Sequence, residues 1–501
     1  MADRGGVLAI VAALTAVATG CGTTEREVVI ADPLAEALAH APADAAALAV
    51  VATETAVGPG AALARLGRRF PEIERVLAQV QGTLGRRVGL DYATELRPLL
   101  GHPLVLWSTD GSTGRSFAAW VVRDGEKLGE LLRAREASGA LVAAPAVAGY
   151  ALFTRPNGGA YARRGPVLVI APDLDRLRDV LRRRGSGHGQ WGSQLLRERG
   201  LGLPGGGAVA RVQLDARALV ARGGPEARRV RWVAALERAA LTVTSEAGGL
   251  RVRARVSTDS GATAPQDVPI AAGVQPPVTR GSGRVVAAVR DPRQTLRFVR
   301  RTIDLLDPQR LAGLRQAEEV LARFARVSVE EDLVDRLAGS ATLTSRDGRT
   351  LTLRADLDGP DDVAAALDRL GTLARLGGPL ASLAGVDLGG IAVDEHLRGG
   401  YVVMRGGRFL VALAVIDGAL VASTDRGADL AAAARAPAAS PPPTAGAFRA
   451  TVDAELLADQ LVRLGLPAFA RGAPAPIGDL IVTARGEREL FDVQLVLPVA
   501  R

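Results

Sequence analysis

The order of apolar and polar positions breaks this chain into short segments of differing period. From Pro292 to Leu306, the residues Leu296, Val299, Ile303 and Leu306 recur at three- and four-residue steps, the spacing of a helix with a core-facing stripe. Asp291 precedes this segment as an N-cap and Pro292 takes its first helical position. Ser328-Val-Glu-Glu331 has the pattern of a capping box that opens another helix. Thr342-Leu-Thr and Leu351-Thr-Leu, joined by Arg346-Asp-Gly-Arg349, read as an antiparallel hairpin.

These signals come twice in the same order. Leu99-Leu-Gly-His-Pro-Leu-Val-Leu-Trp107 lies against Leu337-Ala-Gly-Ser-Ala-Thr-Leu-Thr-Ser345. Farther along, Gly165-Pro-Val-Leu-Val-Ile-Ala-Pro-Asp173 corresponds to Gly418-Ala-Leu-Val-Ala-Ser-Thr-Asp425, and each leads into a helical segment, Leu174 to Arg183 and Ala428 to Ala434. Ala208 to Ala216 matches Phe448 to Ala454, and Leu241 to Ser245 matches Leu480 to Ala484. Within each copy the expected order is strand, helices, strand, strand, helix, strand, strand, helix, strand, helix, strand, strand. The fold class is therefore α+β, a tandem duplication of one mixed sheet-and-helix unit with largely antiparallel sheets. The copies span residues 41–258 and 283–498. Residues 259–282, with Pro265, Pro269, Pro276, Pro277 and several glycines, form an extended Pro/Gly-rich linker. A shorter break, Ala436 to Thr444, replaces in the second copy the longer Gly185 to Gly207 loop of the first.

The N-terminus has a different grammar. Arg4 is followed by an apolar run from Val7 to Ala18, broken only by Thr15; at roughly 12 residues it falls short of the ~20 needed to span a bilayer. Ala18-Thr-Gly-Cys21 resembles the bacterial lipoprotein box, with Ala18 where leucine is usual. That resemblance implies a signal peptide over residues 1–20, a lipidated Cys21 and a tether over 21–40, placing the chain on the extracytoplasmic face of the membrane. Cys21 is the only cysteine, consistent with an exported chain that forms no disulfides. The alternatives are an uncleaved anchor, an ordinary cleaved signal and a buried core cysteine.

Composition adds limits. Hydrophobic residues make up 48% and charged residues 23%, so the mature chain has material for a sizeable core. The net charge of +8 is carried by arginine, Lys127 being the sole lysine, and it is scattered rather than blocked. Nucleic acid is therefore not an expected partner; anionic envelope material is. Arg293, Arg297, Arg300 and Arg301 on the Pro292 to Leu306 helix, and Arg228, Arg229 and Arg231 beside Trp232, are candidate contacts to anionic head groups at about 1 kcal/mol each; the alternative is a solvated face. Aromatics at 3% disfavour a sugar-stacking platform.

His40-Ala-Pro-Ala-Asp-Ala-Ala-Ala-Leu-Ala-Val-Val51 followed by a helix, then Leu96-Arg-Pro-Leu-Leu-Gly101, resembles the bacterial family known as domain of unknown function 3352. The likeness runs along most of the mature chain. It supports an exported fold of this kind and carries no catalytic or binding residues.

Candidate chemistry is sparse. Gly200-Leu-Gly-Leu-Pro-Gly205 matches a dinucleotide fingerprint as a string, but a helix precedes it and a strand follows, the reverse of what phosphate binding needs. Ser186-Gly-His188-Gly-Gln-Trp191 sets a hydroxyl beside an imidazole between glycines that hold neither in place. His40, His102, His188 and His396 are far apart, and Asp394-Glu-His396 is expected on an exposed turn. Asp356-Leu-Asp-Gly-Pro-Asp-Asp362 has its glycine at the wrong place for a calcium loop and reads as a turn and cap, like Arg123-Asp-Gly-Glu126 in the first copy.

No catalytic, metal or cofactor site is expected from these residues. The leading reading is a non-catalytic envelope lipoprotein that binds or organises an envelope partner. A carrier of an apolar ligand, with Leu373 to Ile391 lining its pocket, and an envelope hydrolase using His188 or His396 are the other classes.

Overall fold

A computed structural model describes residues 30–53, 91–111, 115–156, 158–186, 190–246, 249–383, 391–397, 400–405, 408–439, 446–463, 478–487 and 489–498. It is an α+β structure built on one twenty-stranded antiparallel sheet. The first ten strands are β1 (Ala47–Val51), β2 (Leu104–Ser108), β3 (Ser116–Val121), β4 (Val142–Val147), β5 (Tyr150–Thr154), β6 (Ala160–Arg164), β7 (Val167–Ala171), β8 (Ala208–Asp215), β9 (Leu236–Glu246) and β10 (Gly249–Thr258). The next ten are β11 (Val285–Arg290), β12 (Leu337–Ser345), β13 (Thr352–Leu357), β14 (Ile391–Leu397), β15 (Gly400–Arg405), β16 (Arg408–Ile416), β17 (Ala419–Ser423), β18 (Phe448–Val452), β19 (Leu480–Gly486) and β20 (Leu490–Pro498).

Pairing in the first half runs β4-β5-β6-β7-β3-β2-β1-β8-β9-β10, every neighbour antiparallel. In the second half it runs β14-β15-β16-β17-β13-β12-β11-β18-β19-β20, again antiparallel throughout. Each half thus has a four-strand meander between its long helix and the next one, where the sequence pattern indicates only two strands. The hidden hairpin of the first half is β4 and β5, turned at Ala148 and Gly149, both at positive φ. β4 carries Pro145, a bulge and a mostly exposed burial pattern, so it lacks the alternation that marks a strand from sequence.

The halves meet strand to strand. β10 pairs with β20 antiparallel from Gly249↔Pro498 to Ser257↔Leu490, so the last strand of one half lies against the last strand of the other. Arg255 binds Asp492 across this seam at 2.9 Å and also donates to the Leu201 carbonyl at 2.8 Å. Residues 259–282 do not hang free: Val268, Ile270 and Ala271 are buried, and the last two pack with Ala447 and Ala484.

Packing follows strand alternation. β1 is buried on both faces: Leu48 and Val50 enter one core with Trp107, Phe117 and Ala119, while Ala49 and Val51 enter a second with Leu104, Trp120 and Leu168. α1 (Pro33–Leu38) supplies Ala37 and Leu38 to the first core, and α2 (Gly125–Ala137) supplies Leu128 and Leu132 to the second. α2 begins at Asp124, whose carboxylate accepts from the Glu126 and Lys127 amides at 3.0 and 2.9 Å, the capping expected there. α3 (Leu174–Ser186), α4 (Ser193–Glu198), α5 (Ala216–Arg222), α6 (Gly224–Arg229) and α7 (Arg231–Ala234) complete the first half. The second has α8 (Pro292–Leu306), α9 (Pro308–Val320), α10 (Pro360–Leu383), α11 (Leu430–Ala434) and α12 (Ala454–Arg463), and its buried clusters among the described residues are smaller and rich in alanine and valine.

Candidate functional site

α8 is the element whose surface departs most from its sequence pattern. Gln294 donates to the carbonyls of Val268 and Ile270 at 3.2 and 3.0 Å, Phe298 packs edge-on to Trp232 with centroids 6.4 Å apart, and Arg301 meets the buried Asp267 at 3.1 Å. Steps of four and three place these three residues on one side, and that side docks on the body. Of the opposite stripe, Leu296, Val299 and Leu306 are 46%, 44% and 49% exposed, and Ile303 is half-buried. This overturns the expectation that the stripe faces the core. Periodicity defined the stripe correctly, but a buried carboxylate, two carbonyls and an aromatic ring captured the other side. Asp291 also departs from its expected role as a cap. Its backbone is left-handed at φ 51°, and its side chain makes no capping bond.

The four arginines proposed as head-group contacts all have protein carboxylates nearby. Arg293 lies 3.5 Å from Asp291; Arg297 binds Glu330 at 2.7 Å and also Asp335. Arg300 pairs with Glu318 and lies 3.6 Å from Glu330, and Arg301 holds Asp267. The flank of α8 is thus a ladder of ion pairs beside an apolar strip. Arg231 lies 3.8 Å from Asp267, and Arg228 and Arg229 are exposed on α6. Trp232 beside them is enclosed by Phe298 and Phe491.

A second polar cluster escaped the sequence reading. His40 is buried, its Nε2 2.9 Å from the Tyr150 hydroxyl and its Nδ1 3.0 Å from the Glu36 carbonyl oxygen. Arg184 binds both the Tyr150 hydroxyl and the Glu36 carboxylate, and Arg164 reaches Glu36 at 3.1 Å while lying over the Tyr150 ring. Burial, aided by the Arg184 charge, drops the His40 pKa to about 3, so the ring is neutral at pH 7. These partners come from positions as distant as 36 and 184, and no local spacing announces them. Satisfied on both ring nitrogens, His40 is a structural group rather than a poised base.

The other candidates resolve individually. Cys21 and the Val7 to Ala18 run lie outside the described residues, as does His188. The Gly200 to Gly205 loop does follow a helix and precede a strand. Its Leu201 and Gly205 carbonyls accept from Arg255 and Arg211, so here backbone acceptors meet side-chain cations. Asp356 binds Arg354 and the Ser340 amide, and Asp362 binds Arg336. Asp394, Glu395 and His396 lie within β14, not on a turn. His102 gives its carbonyl to the Thr53 hydroxyl at 2.6 Å. The Leu373 to Ile391 stretch covers the end of α10, residues 384–390, which lie outside the described part, and the first residue of β14. Ser328 does accept from the Glu331 amide at 3.2 Å, but the reciprocal bond to its own amide comes from Asp332.

No family model matches the chain, and no curated protein matches it. Among solved structures it is similar to TP0453 in crystal form III, at 8% identity and a TM-score of 0.27, over 46% of this chain and 80% of that one. TP0453 in crystal form I gives 9% identity and a TM-score of 0.27 over the same shares of the two chains. Likeness at this level leaves function to the residues of this chain.

Proposed function

We propose that this chain is a non-catalytic cell-envelope lipoprotein, tethered through Cys21, that captures a protein partner on the outward face of α8. The observation that carries this reading is the exposure of Leu296, Val299 and Leu306 on one stripe bordered by ion-paired arginines. An apolar centre with a polar, arginine-containing rim is the anatomy of a protein interface. A phosphate-binding face would keep its guanidiniums free for head groups, and these are engaged by carboxylates. A protein ridge therefore fits better than an anionic lipid surface.

The matching strand order of the halves supports their origin by tandem duplication, with the β10–β20 seam standing where two copies of a unit would meet edge to edge. The resemblance to domain of unknown function 3352 fits such an exported, non-catalytic chain. Lipidation is tested by labelling with an alkyne palmitate, whose incorporation Cys21→Ala abolishes.

Partner capture is tested with a photo-crosslinking amino acid at Val299 in living cells, with Val142, an exposed position of the first half, as control. One protein adduct of defined mass at Val299, lost in Leu296→Ser/Leu306→Ser, supports the reading. Adducts of lipid alone, or equal yields at both positions, contradict it.

A further inference from the structure

Where the halves meet, one face of the sheet carries a row of polar and cationic side chains. The register sets Arg211, Thr242, Arg253, Gln494, Thr483 and Arg449 directly opposite one another along β8, β9, β10, β20, β19 and β18. Directly opposed residues of antiparallel strands share a face, so these six lie on one side. At about 4.8 Å per strand the row is roughly 24 Å long. It reads nearly alike from its two ends, as arginine, threonine, then arginine or glutamine, with the seam at its centre. Arg251 and Arg255 flank Arg253 on the same face of β10, at steps of about 6.8 Å.

This face is charged and uncovered at its centre. Asp492 is opposite Arg255, which it binds at 2.9 Å, and lies 3.8 Å from Arg253, whose side chain is 32% exposed. Arg485, opposite Asp492 on β19, pairs with Glu487. Arg449 is half-buried and has no carboxylate partner among the described residues. No described helix packs closely on β18, β19 or β20, and Ile270, Ala271, Trp232 and α8 lie on the other side of the sheet, against Phe491 and Val493. Two walls bound the row. At one end the Leu201 and Gly205 carbonyls accept from Arg255 and Arg211. At the other, where Ala288 and Thr342 continue the row beyond Arg449, the Val278 and Arg280 amides donate to Ser340 and Thr342 at 3.0 and 3.2 Å.

The chemistry of the row selects its guest. Guanidiniums only donate, and threonine hydroxyls and the glutamine amide donate as well, so the complement is a chain of acceptors carrying negative charge. A peptide laid on this face would bring N–H groups to strands whose carbonyls are spent in the ladder. No aromatic ring stands in the row to stack a base or a sugar. The walls hold a planar bilayer off the floor, whereas a chain lies between them, and the span of the row exceeds what one phosphate can bridge. We infer that this face binds an extended phosphate polyanion without bases, its phosphates seated at Arg253, Arg449 and the arginines that flank Arg253. The site is on the reverse of the sheet from α8 and does not depend on what that helix captures.

The test is calorimetric titration of the full mature chain, carrying Cys21→Ser, with inorganic polyphosphate of about 25 units at about 50 mM salt. The expected Kd is at or below about 10 μM, and it rises at least about tenfold when salt is raised to about 200 mM, as counterion release at several phosphates requires. Arg253→Gln/Arg449→Gln weakens binding at least about tenfold, while Arg228→Gln/Arg229→Gln on α6 leaves it unchanged. In the unsubstituted chain, polyphosphate slows phenylglyoxal modification of Arg253 and Arg449, a readout that needs no variant to fold. Unprotected arginines, or an affinity untouched by the paired substitution in a folded variant, overturn the inference. Equal binding of poly-L-glutamate of matched charge, or equal protection by phosphatidylglycerol vesicles, overturns it too, in favour of an acidic peptide or a bilayer.

Discussion

The two halves share a strand order and differ in what fills it. In the first, both faces of the sheet are covered, with Trp107 stacked on Phe117, Trp120 and Tyr161 buried in the opposite core, and the His40 cluster closing one side. In the second, the buried clusters among the described residues are small, and Leu296, Val299, Leu306, Phe324, Leu351 and Leu410 are exposed. Antiparallel pairing sets the topology, whereas side-chain volume sets how much stability each half draws from it. Among the described residues the first half therefore holds the larger buried cores, and the second leaves more apolar side chains exposed.

The sharpest way to break this comparison is to hollow the first half. Trp120→Ala removes one of its largest buried side chains and is expected to cost about 3–5 kcal/mol, against roughly 2 kcal/mol for Leu337→Ala in the smaller second-half cluster. Urea unfolding followed by fluorescence and circular dichroism measures both; equal losses would erase the distinction.

Acid probes the same half through His40. Its pKa is about 3 in the folded chain and 6.5 in the unfolded one. Between these values the unfolded state binds a proton that the folded state refuses, so stability is full above pH 6.5 and falls as pH drops toward 3. The expected loss is on the order of 5 kcal/mol, and His40→Gln flattens the dependence of the melting temperature over this range. A wild-type profile as flat as that of the variant would place His40 outside the core network.

The seam is the next test. Arg255→Met removes the half-buried bonds to Asp492 and Leu201 and is expected to cost about 1–3 kcal/mol, seen as a lower urea midpoint with faster amide exchange in both β10 and β20. Exchange that rises in one strand alone would mean that the halves do not support one another there.

What could be read in advance follows from how local each signal is. The Asp124 cap and the hairpin at Asp347 were legible because a few adjacent residues determine them. At the hairpin the Asp347 carboxylate accepts from the Arg349 and Thr350 amides, which holds its pKa down at about 2. The turn between β16 and β17 left a readable trace at Asp417-Gly418, a pair at φ 49° and 77° of the kind that closes two-residue turns. The Ala148-Gly149 turn between β4 and β5 left almost none. The stripe of α8 was visible, but its direction depended on Asp267, Val268 and Trp232, which the period of the helix cannot report. The His40 cluster assembles from residues far apart in sequence, so it was not accessible before the fold.

The orientation of α8 is the central claim, and the urea stability of Leu296→Ser/Val299→Ser/Leu306→Ser tests it most directly. Outward side chains predict a combined change within about 1.5 kcal/mol, the sum expected of three surface substitutions. A loss of about 6 kcal/mol or more, as three truncated core residues would give, contradicts it and returns the stripe to the interior.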